Sequence, residues 1–477
     1  MKNLKIALLL MPFLLGSCTD FLVLSPEFQL NDKLFYKTVN DFETATIGSY
    51  SQLQVIYNAS ILDLTELTTD NAEVTWTSPE TSEAECDEMN LTSNNTFVNN
   101  VWNSSFKTIS RSNTIINKLK ESTLNNAEKM RYNGEARFLR AFCYFNLVRL
   151  FGDLPLVLDN FTGPVSINAF DMSRKPSEEI YKLIISDLQQ AATELEGVKA
   201  TKSRASVGSA KTLLAKVYLT RKEFEKAVPI LSSLIESKSY DLQADYKSLF
   251  STGNENLKES IFEIEYLSGN IGEGNSYSNL FTPPSFNMAI FPGNMAGSGR
   301  IVASKDIKNS YEINDARKSA SIMDSLKLRT GLFEKTHYGL KFVDFSTGLA
   351  GDGGVNFTVL RYADVLLMYS EVLNESGKSS EALTYLNLVR KRAKLADIKS
   401  ASQSEMRLFL EKERRIEFLS EGHRWFDLVR TGRALVVLND YYVRQKMKFT
   451  VNSTELLMPI PQREIDINPS LLQNPGY

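Results

Sequence analysis

The chain has 477 residues, 43% of them hydrophobic and 23% charged, with 54 Lys and Arg against 57 Asp and Glu for a formal charge of −3. Those proportions belong to a globular protein and exclude both wholesale disorder and a polytopic membrane protein. The small acidic excess has no electrostatic grip on nucleic acid phosphates, and two histidines argue against a multi-histidine metal site.

The first segment sets the compartment. Lys2 and Lys5 make a positive start, and the apolar run from Leu4 to Leu15 is about half of the ~20 residues a spanning helix needs. Leu15-Gly16-Ser17-Cys18 then offers the small side chains that a lipoprotein signal peptidase accepts next to an acylated thiol. The expectation is a signal peptide over residues 1–17 and a mature chain over 18–477 that begins at a lipidated Cys18. Removing Lys2 and Lys5 takes its formal charge to −5. Only Cys86 and Cys143 then remain. Cys86 lies among acids, with nothing cationic to activate a thiolate. Cys143 lies in a very apolar helix and reads as a small buried hydrophobe.

Helices follow. One is predicted after Asn40, capped by that residue and by Glu43 three positions on. Trp102, Phe106, Ile109, Ile116 and Leu119 recur at helical spacing and mark one buried face. Residues 127–151 are apolar nearly all round, so this helix should be central until Gly152-Asp153-Leu154-Pro155 stops it. Ser177 is predicted as an N-cap ahead of Glu178 and Glu179. Leu214, Ala215, Tyr218, Phe224, Ala227 and Leu231 resemble a tetratricopeptide helix hairpin, in which the alanines admit close approach of two helices. Ser370, Leu373, Ala382 and Leu386 repeat the pattern, but too far along the chain for a uniform tandem array. A capping box at Ser402 and Glu405 opens a helix predicted to continue through Arg430.

Between the two hairpins the character changes. Residues 268–300 contain 6 Gly, 3 Pro, 5 Asn and 5 Ser, which rules out a regular helix. Tyr277, Phe281, Phe286 and Phe291 are spread through this stretch and favour an ordered loop. The glycines at 348–354 precede no helix with a Lys-Ser/Thr pair, so a phosphate loop is not supported and no cofactor is expected.

Two chemistries compete for such a chain. Glu413, Glu417 and Glu421 form a row at four-residue spacing, but interleaved Arg414, Arg415 and Arg424 point to ion pairing rather than to an acid/base pair flanking a cleft. His337 and His423 are isolated from any nucleophile motif, so no enzymatic activity is expected. Sugar binding needs flat aromatic faces with Asp, Asn or Arg beside them. Asp70 and Asn71 followed by Trp76 supply that combination in a non-helical context, with Tyr277 as a further aromatic candidate. Trp102 and Trp425 lie on helical patterns and read as core.

Several segments together resemble the SusD/RagB family of outer-membrane nutrient-binding lipoproteins. They are Glu413-Arg414-Arg415-Ile416-Glu417-Phe418 with residues 421–430, and, elsewhere, residues 134–141, 151–155, 361–368, 459–461 and 474–477. In that family these motifs are mostly structural. The resemblance implies a mainly α fold, with four tetratricopeptide-like units on one side and a loop-rich part bearing the ligand site. That part falls here at about residues 60–100 and 268–350 of a single domain. It also implies a cell-surface, lipid-anchored protein that binds oligosaccharides, or in some members a peptide, and delivers them to a TonB-dependent outer-membrane transporter facing the repeat side. A ligand-free scaffolding lipoprotein is the competing class. The family's binding residues are its least shared part, so Asp70, Asn71, Trp76 and Tyr277 stand on their chemistry and placement alone.

Overall fold

In the computed structural model, residues 35–75, 79–159, 171–284, 290–293 and 295–477 are described. Cys18 and the signal segment, Trp76 and Phe286 lie outside them.

The helices form where apolar residues recur at helical spacing. The first, Val39–Tyr57, is capped by Thr38 with Asp41 reaching back, two residues earlier than the sequence predicts. Thr38 wins because its hydroxyl accepts from the Asp41 amide while the Asp41 carboxylate accepts from the Thr38 amide, satisfying two orphan donors at once. Thr96–Glu121 buries Trp102, Ile109, Ile116 and Leu119 along one face. Asn126–Phe151 is the central helix, as its all-round apolar sequence predicts, packing against Val39–Tyr57, Thr96–Glu121 and Ser177–Glu194. It ends at Gly152, whose φ of +74° an L side chain would resist. The start of Ser177–Glu194 is a correction. Ser177 is the first helical residue and makes no side-chain cap, and its amide is instead bound by the Asp153 carboxylate at 2.7 Å.

Successive helices then pack as neighbours: 96–121, 126–151, 177–194, 207–220, 224–236, 362–375, 379–392 and 403–417. Both predicted hairpins are present. Ala215 and Ala227 are fully buried in the first, and in the second Ser370 donates to the Ala382 carbonyl at 2.7 Å, a distance only small residues permit. Helix 224–236 packs directly on 362–375 although more than a hundred residues separate them. The intervening chain is therefore an excursion from the helical run. Its base is a ribbon of β4 (Ser260–Ile264) antiparallel to β8 (Phe357–Arg361), buried along its whole length.

Within that excursion β6 (Ile322–Lys327) pairs with β7 (Phe333–Gly339), and β5 (Val302–Ala303) pairs with the earlier β1 (Ala72–Glu73). Irregular backbone fills the rest apart from a few short helices, among them Tyr277–Leu280. The capping box at Ser402 is present, but its helix ends at Glu417 rather than at Arg430. Ser420 and Gly422 take positive φ and turn the chain before a separate helix, Arg424–Arg430. Trp102 and Trp425 are core residues, at 3% and 0% exposure.

Candidate functional site

The row of glutamates lies inside the molecule, locked to cations. Arg361, at the end of β8, donates to Glu421 at 2.7 Å, to Glu417 at 2.6 Å and to Glu259 at 2.9 Å. Arg317 donates to Glu413 at 2.6 Å and Glu417 at 2.9 Å, Lys341 to Glu421 at 2.8 Å, and Arg392 to both Glu417 and Glu259. Burial pushes the Glu417 carboxyl up, but Arg392, Arg361 and Arg317 outweigh it and hold the group well below its usual range. Burial pulls the Lys341 ammonium down to about 8. Ion pairing was the expectation, but its partners are a correction. The interleaved arginines turn the other way, Arg414 to Asp364 and Asp427, and Arg415 and Arg424 to Asp70. Carboxylates held this way have no open face for proton transfer to a substrate.

Asp70 and Asn71 belong to this interior as well. Asp70 is 1% exposed, and Arg424 grips both of its oxygens at 2.8 Å. Burial alone would raise its carboxyl; Arg424 and Arg415 reverse that and bring it to about 2. Asn71 donates to Glu66 at 2.9 Å and accepts from Arg415 at 3.0 Å. The main chain of the same two residues holds Ser304, whose amide bonds the Asn71 carbonyl and whose hydroxyl bonds the Asp70 carbonyl. The pair therefore fixes β1 and β5 to the helical body, and its polar atoms are spent before any ligand arrives. Tyr277 is likewise interior. It is fully buried, stacked on Phe281 at 5.6 Å, and donates to the Tyr57 carbonyl at 2.5 Å. Burial pushes its hydroxyl well above the usual value. The loop aromatics Tyr277, Phe281 and Phe291 are turned inward, which is what orders a glycine-rich segment.

The surface of the excursion carries different groups. The β6–β7 hairpin projects from a buried base at Tyr338 to an exposed tip, where Leu332 and Phe333 are 67% and 69% exposed. Arg329, in the turn, ties that tip to the carbonyls of Phe291 and Gly293. Phe291 in turn stacks under Phe345 at 6.1 Å, and Phe345 is 42% exposed. The hairpin turn, residues 291–293 and the loop of Phe345 are thus tied together, and Phe333 and Phe345 are the exposed rings of this aromatic ledge. The β1 side joins it through His337 on β7, which meets the Glu73 carboxylate at 2.6 Å, and through Thr75, whose amide bonds the Gly299 carbonyl at 2.8 Å. Gly299 has φ +67°, and a Cβ there would meet the Thr75 hydroxyl at 2.5 Å, so this close approach requires glycine. Phe333 and Phe345 escaped the sequence reading, although both fall in the span it assigned to the ligand. The one local signal for Phe333 is its place two residues after Gly331, which marks the hairpin turn without giving the exposure of the ring.

A broader groove of about 980 Å³ lies between helix 39–57 and β4. Of its rings Phe262 and Tyr266 are buried and Tyr50 is half-buried, while its exposed apolar residues are the aliphatic Ile47 and Leu267. Cys86 and Cys143 are both free and fully buried, and burial pushes the Cys143 thiol up to about 12.

Comparison with known proteins agrees with this architecture. A SusD family model matches residues 329–477, and a second, described as starch-binding associating with outer membrane, matches residues 20–219. The chain is 29% identical to SusD-like protein P2 of Formosa agariphila over the full length of both. It superposes on surface glycan-binding protein A from Bacteroides fluxus with a TM-score of 0.80 at 26% identity, covering 92% of this chain and 100% of that one. A laminarin binding SusD-like protein gives a TM-score of 0.79 at 26% identity, covering 93% and 100%.

Proposed function

The chain belongs to the SusD/RagB family, and on that premise we propose that it is a non-catalytic, glycan-binding lipoprotein of the outer membrane. The aromatic ledge of Phe333 and Phe345 is the observation that carries this reading. A single exposed ring is ordinary on a protein surface, but rings carried by loops that are tied together form an apolar patch of the kind that marks ligand surfaces. The apolar face of a pyranose ring covers such a surface, while neighbouring polar groups take its hydroxyls. Arg329 flanks the ledge and supplies donors of that kind, since its bonds to the Phe291 and Gly293 carbonyls use only Nη2, while the Ser346 hydroxyl, which donates to Asp344, is left as an acceptor. Trp76 follows directly on Thr75, whose amide bonds the Gly299 carbonyl, and is proposed as a further stacking residue. Asp70, Asn71 and Tyr277 act indirectly, as supports of this surface.

In this proposal Cys18 carries the lipid anchor, the chain faces the cell exterior, and the run of helix hairpins docks a TonB-dependent transporter that imports the captured oligosaccharide. The glycan-binding names of related proteins support the ligand class. Titration calorimetry with β-glucan and α-glucan oligosaccharides tests it directly. A saturable heat with one of them is expected, and turnover of the sugar would contradict the non-catalytic reading. Peptide capture is the second reading, favoured by the groove beside β4, whose Ile47 and Leu267 suit aliphatic side chains better than sugar rings.

A further inference from the structure

Away from the ledge, several helix ends meet around Arg149 and hold one more cation than carboxylate. Lys216 pairs with Asp364 at 2.8 Å, Arg414 with Asp364 and Asp427 at 2.8 Å each, and Arg430 with Asp427 at 2.9 Å and with Glu371. These cations share three carboxylates. Arg149, beside them, has no carboxylate partner among the described residues. Its Nε donates to the Phe145 carbonyl at 3.0 Å and its Nη2 to Asn146 Oδ1 at 2.6 Å.

Both faces of the guanidinium are covered. The Phe145 ring centre lies 3.8 Å from it and the Phe426 ring centre 3.5 Å. That sandwich fixes the plane of the fork and removes water from its faces, so the cation is oriented but uncompensated. Burial pulls the group down from its ordinary value to about 10, and the nearby Asp427 carboxylate, already bonded to Arg414 and Arg430, relieves only part of that.

Two spaces adjoin it. A narrow pocket of about 40 Å³ has Arg149, Lys216 and His423 on its wall. An open groove of about 540 Å³ is lined by Arg149, Arg174, Arg430, Tyr181 and Phe426 among others. Arg174 also has no carboxylate partner among the described residues, its bonds going to the main-chain carbonyls of Asp153, Leu472 and Phe151 and to Asn474 Oδ1. The Tyr181 hydroxyl makes no hydrogen bond among the described residues. Asp153 is the acid on this groove, and it is engaged by the Ser177 amide.

We propose that this groove is a second ligand site, which takes an oxyanion, a carboxylate or sulfate, on the fixed fork of Arg149, with the Tyr181 hydroxyl as a further donor. A flat guanidinium held between rings suits the two-oxygen edge of such a group. The same oxyanion exists free in solution and as a substituent of an acidic saccharide, and the groove has room for a sugar ring against Phe426.

The test uses the purified chain, with sodium glucuronate and sodium sulfate as probes and sodium chloride at equal ionic strength as control. Calorimetry is expected to give a saturable heat with at least one of the two probes, and Arg149→Met is expected to weaken it roughly tenfold or more. Tighter binding of glucuronate marks a saccharide site, and tighter binding of sulfate a free-ion site. Sulfate stabilises proteins generally, so in melting experiments only the difference between the parent and Arg149→Met is read. Should that variant fail to fold, Tyr181→Phe is titrated instead, and a parent crystal soaked in selenate is expected to show an anomalous peak at the Arg149 fork. No saturable heat in the parent, equal binding by parent and variant, or no peak at Arg149 would each overturn the proposal.

Discussion

The helical interior and the loop-rich surface use the same residue types for opposite ends. Inside, Arg361, Arg317 and Arg392 converge on Glu417, and each of these charges has an opposite partner. Outside, Arg329 donates only to main-chain carbonyls, and what it organises is a pair of exposed rings. Aromatic residues divide in the same way. Tyr277 and Phe281 spend their faces on each other and hold the loop in shape, whereas Phe333 and Phe345 leave theirs to solvent. The lesson is that an irregular segment can be rigid without regular hydrogen bonding, provided its inward rings are packed, and that its remaining rings are then free for a ligand.

Substitutions can break this division from either side. The largest effect is expected at Glu417. Glu417→Ala leaves Arg361, Arg317 and Arg392 buried with too few acids, a loss of about 3–5 kcal/mol in stability measured by denaturant titration. Trp425→Ala removes a fully buried ring from the core and should cost a comparable ~3–5 kcal/mol, lowering the melting temperature by several degrees. A variant that melted with the parent would show that Trp425 is not core. On the surface, Phe333→Ala, Phe345→Ala and Trp76→Ala should each weaken glycan binding by ~1–3 kcal/mol with an unchanged melting temperature, the scale of ring-stacking losses at other aromatic sites.

The smallest effect is a pH slope. Burial pushes Asp63 up to about 6 and Glu66 to about 7, against the partial relief given by Arg300 and by Asn71. The folded chain then keeps protons that the unfolded chain releases near pH 4. Their stabilising contribution is therefore complete below about pH 4 and is lost as pH rises through 6 to 7. Glu66→Gln should flatten the fall in melting temperature between pH 5 and 8. Asp70 has the opposite sign: its lowered carboxyl stabilises the fold above about pH 4 and ceases to do so as pH falls towards 2.

Much of the scaffold was legible in the sequence. The apolar spacing over Trp102–Leu119, the paired small residues Ala215 and Ala227, and the capping box at Ser402 are local signals, and local physics decides them. The sequence reads through the break after Glu417 as helix: Ser420, a residue that seldom takes positive φ, does so here, beside Glu417 and Glu421 whose partners Arg361 and Lys341 are distant in sequence. The site was readable as a region and not as residues. Asp70, Asn71 and Tyr277 have the chemistry of a binding site, but partners hundreds of residues away, Arg424 and Arg415 among them, claim that chemistry for the interior. Exposure of Phe333 and Phe345 depends on where the hairpin and its neighbouring loops come to rest, which no short window of sequence encodes.

The molecule divides its labour between a closed ionic body and the open aromatic ledge that this body carries. Calorimetric titration of the parent and of the double variant Phe333→Ala, Phe345→Ala with a panel of glucan oligosaccharides tests it most directly, with both melting curves recorded alongside. Saturable binding by the parent and its loss in a double variant that melts at the parent's temperature is the predicted result. Equal affinity in the two proteins, or no saturable heat from the parent with any glycan, would contradict it.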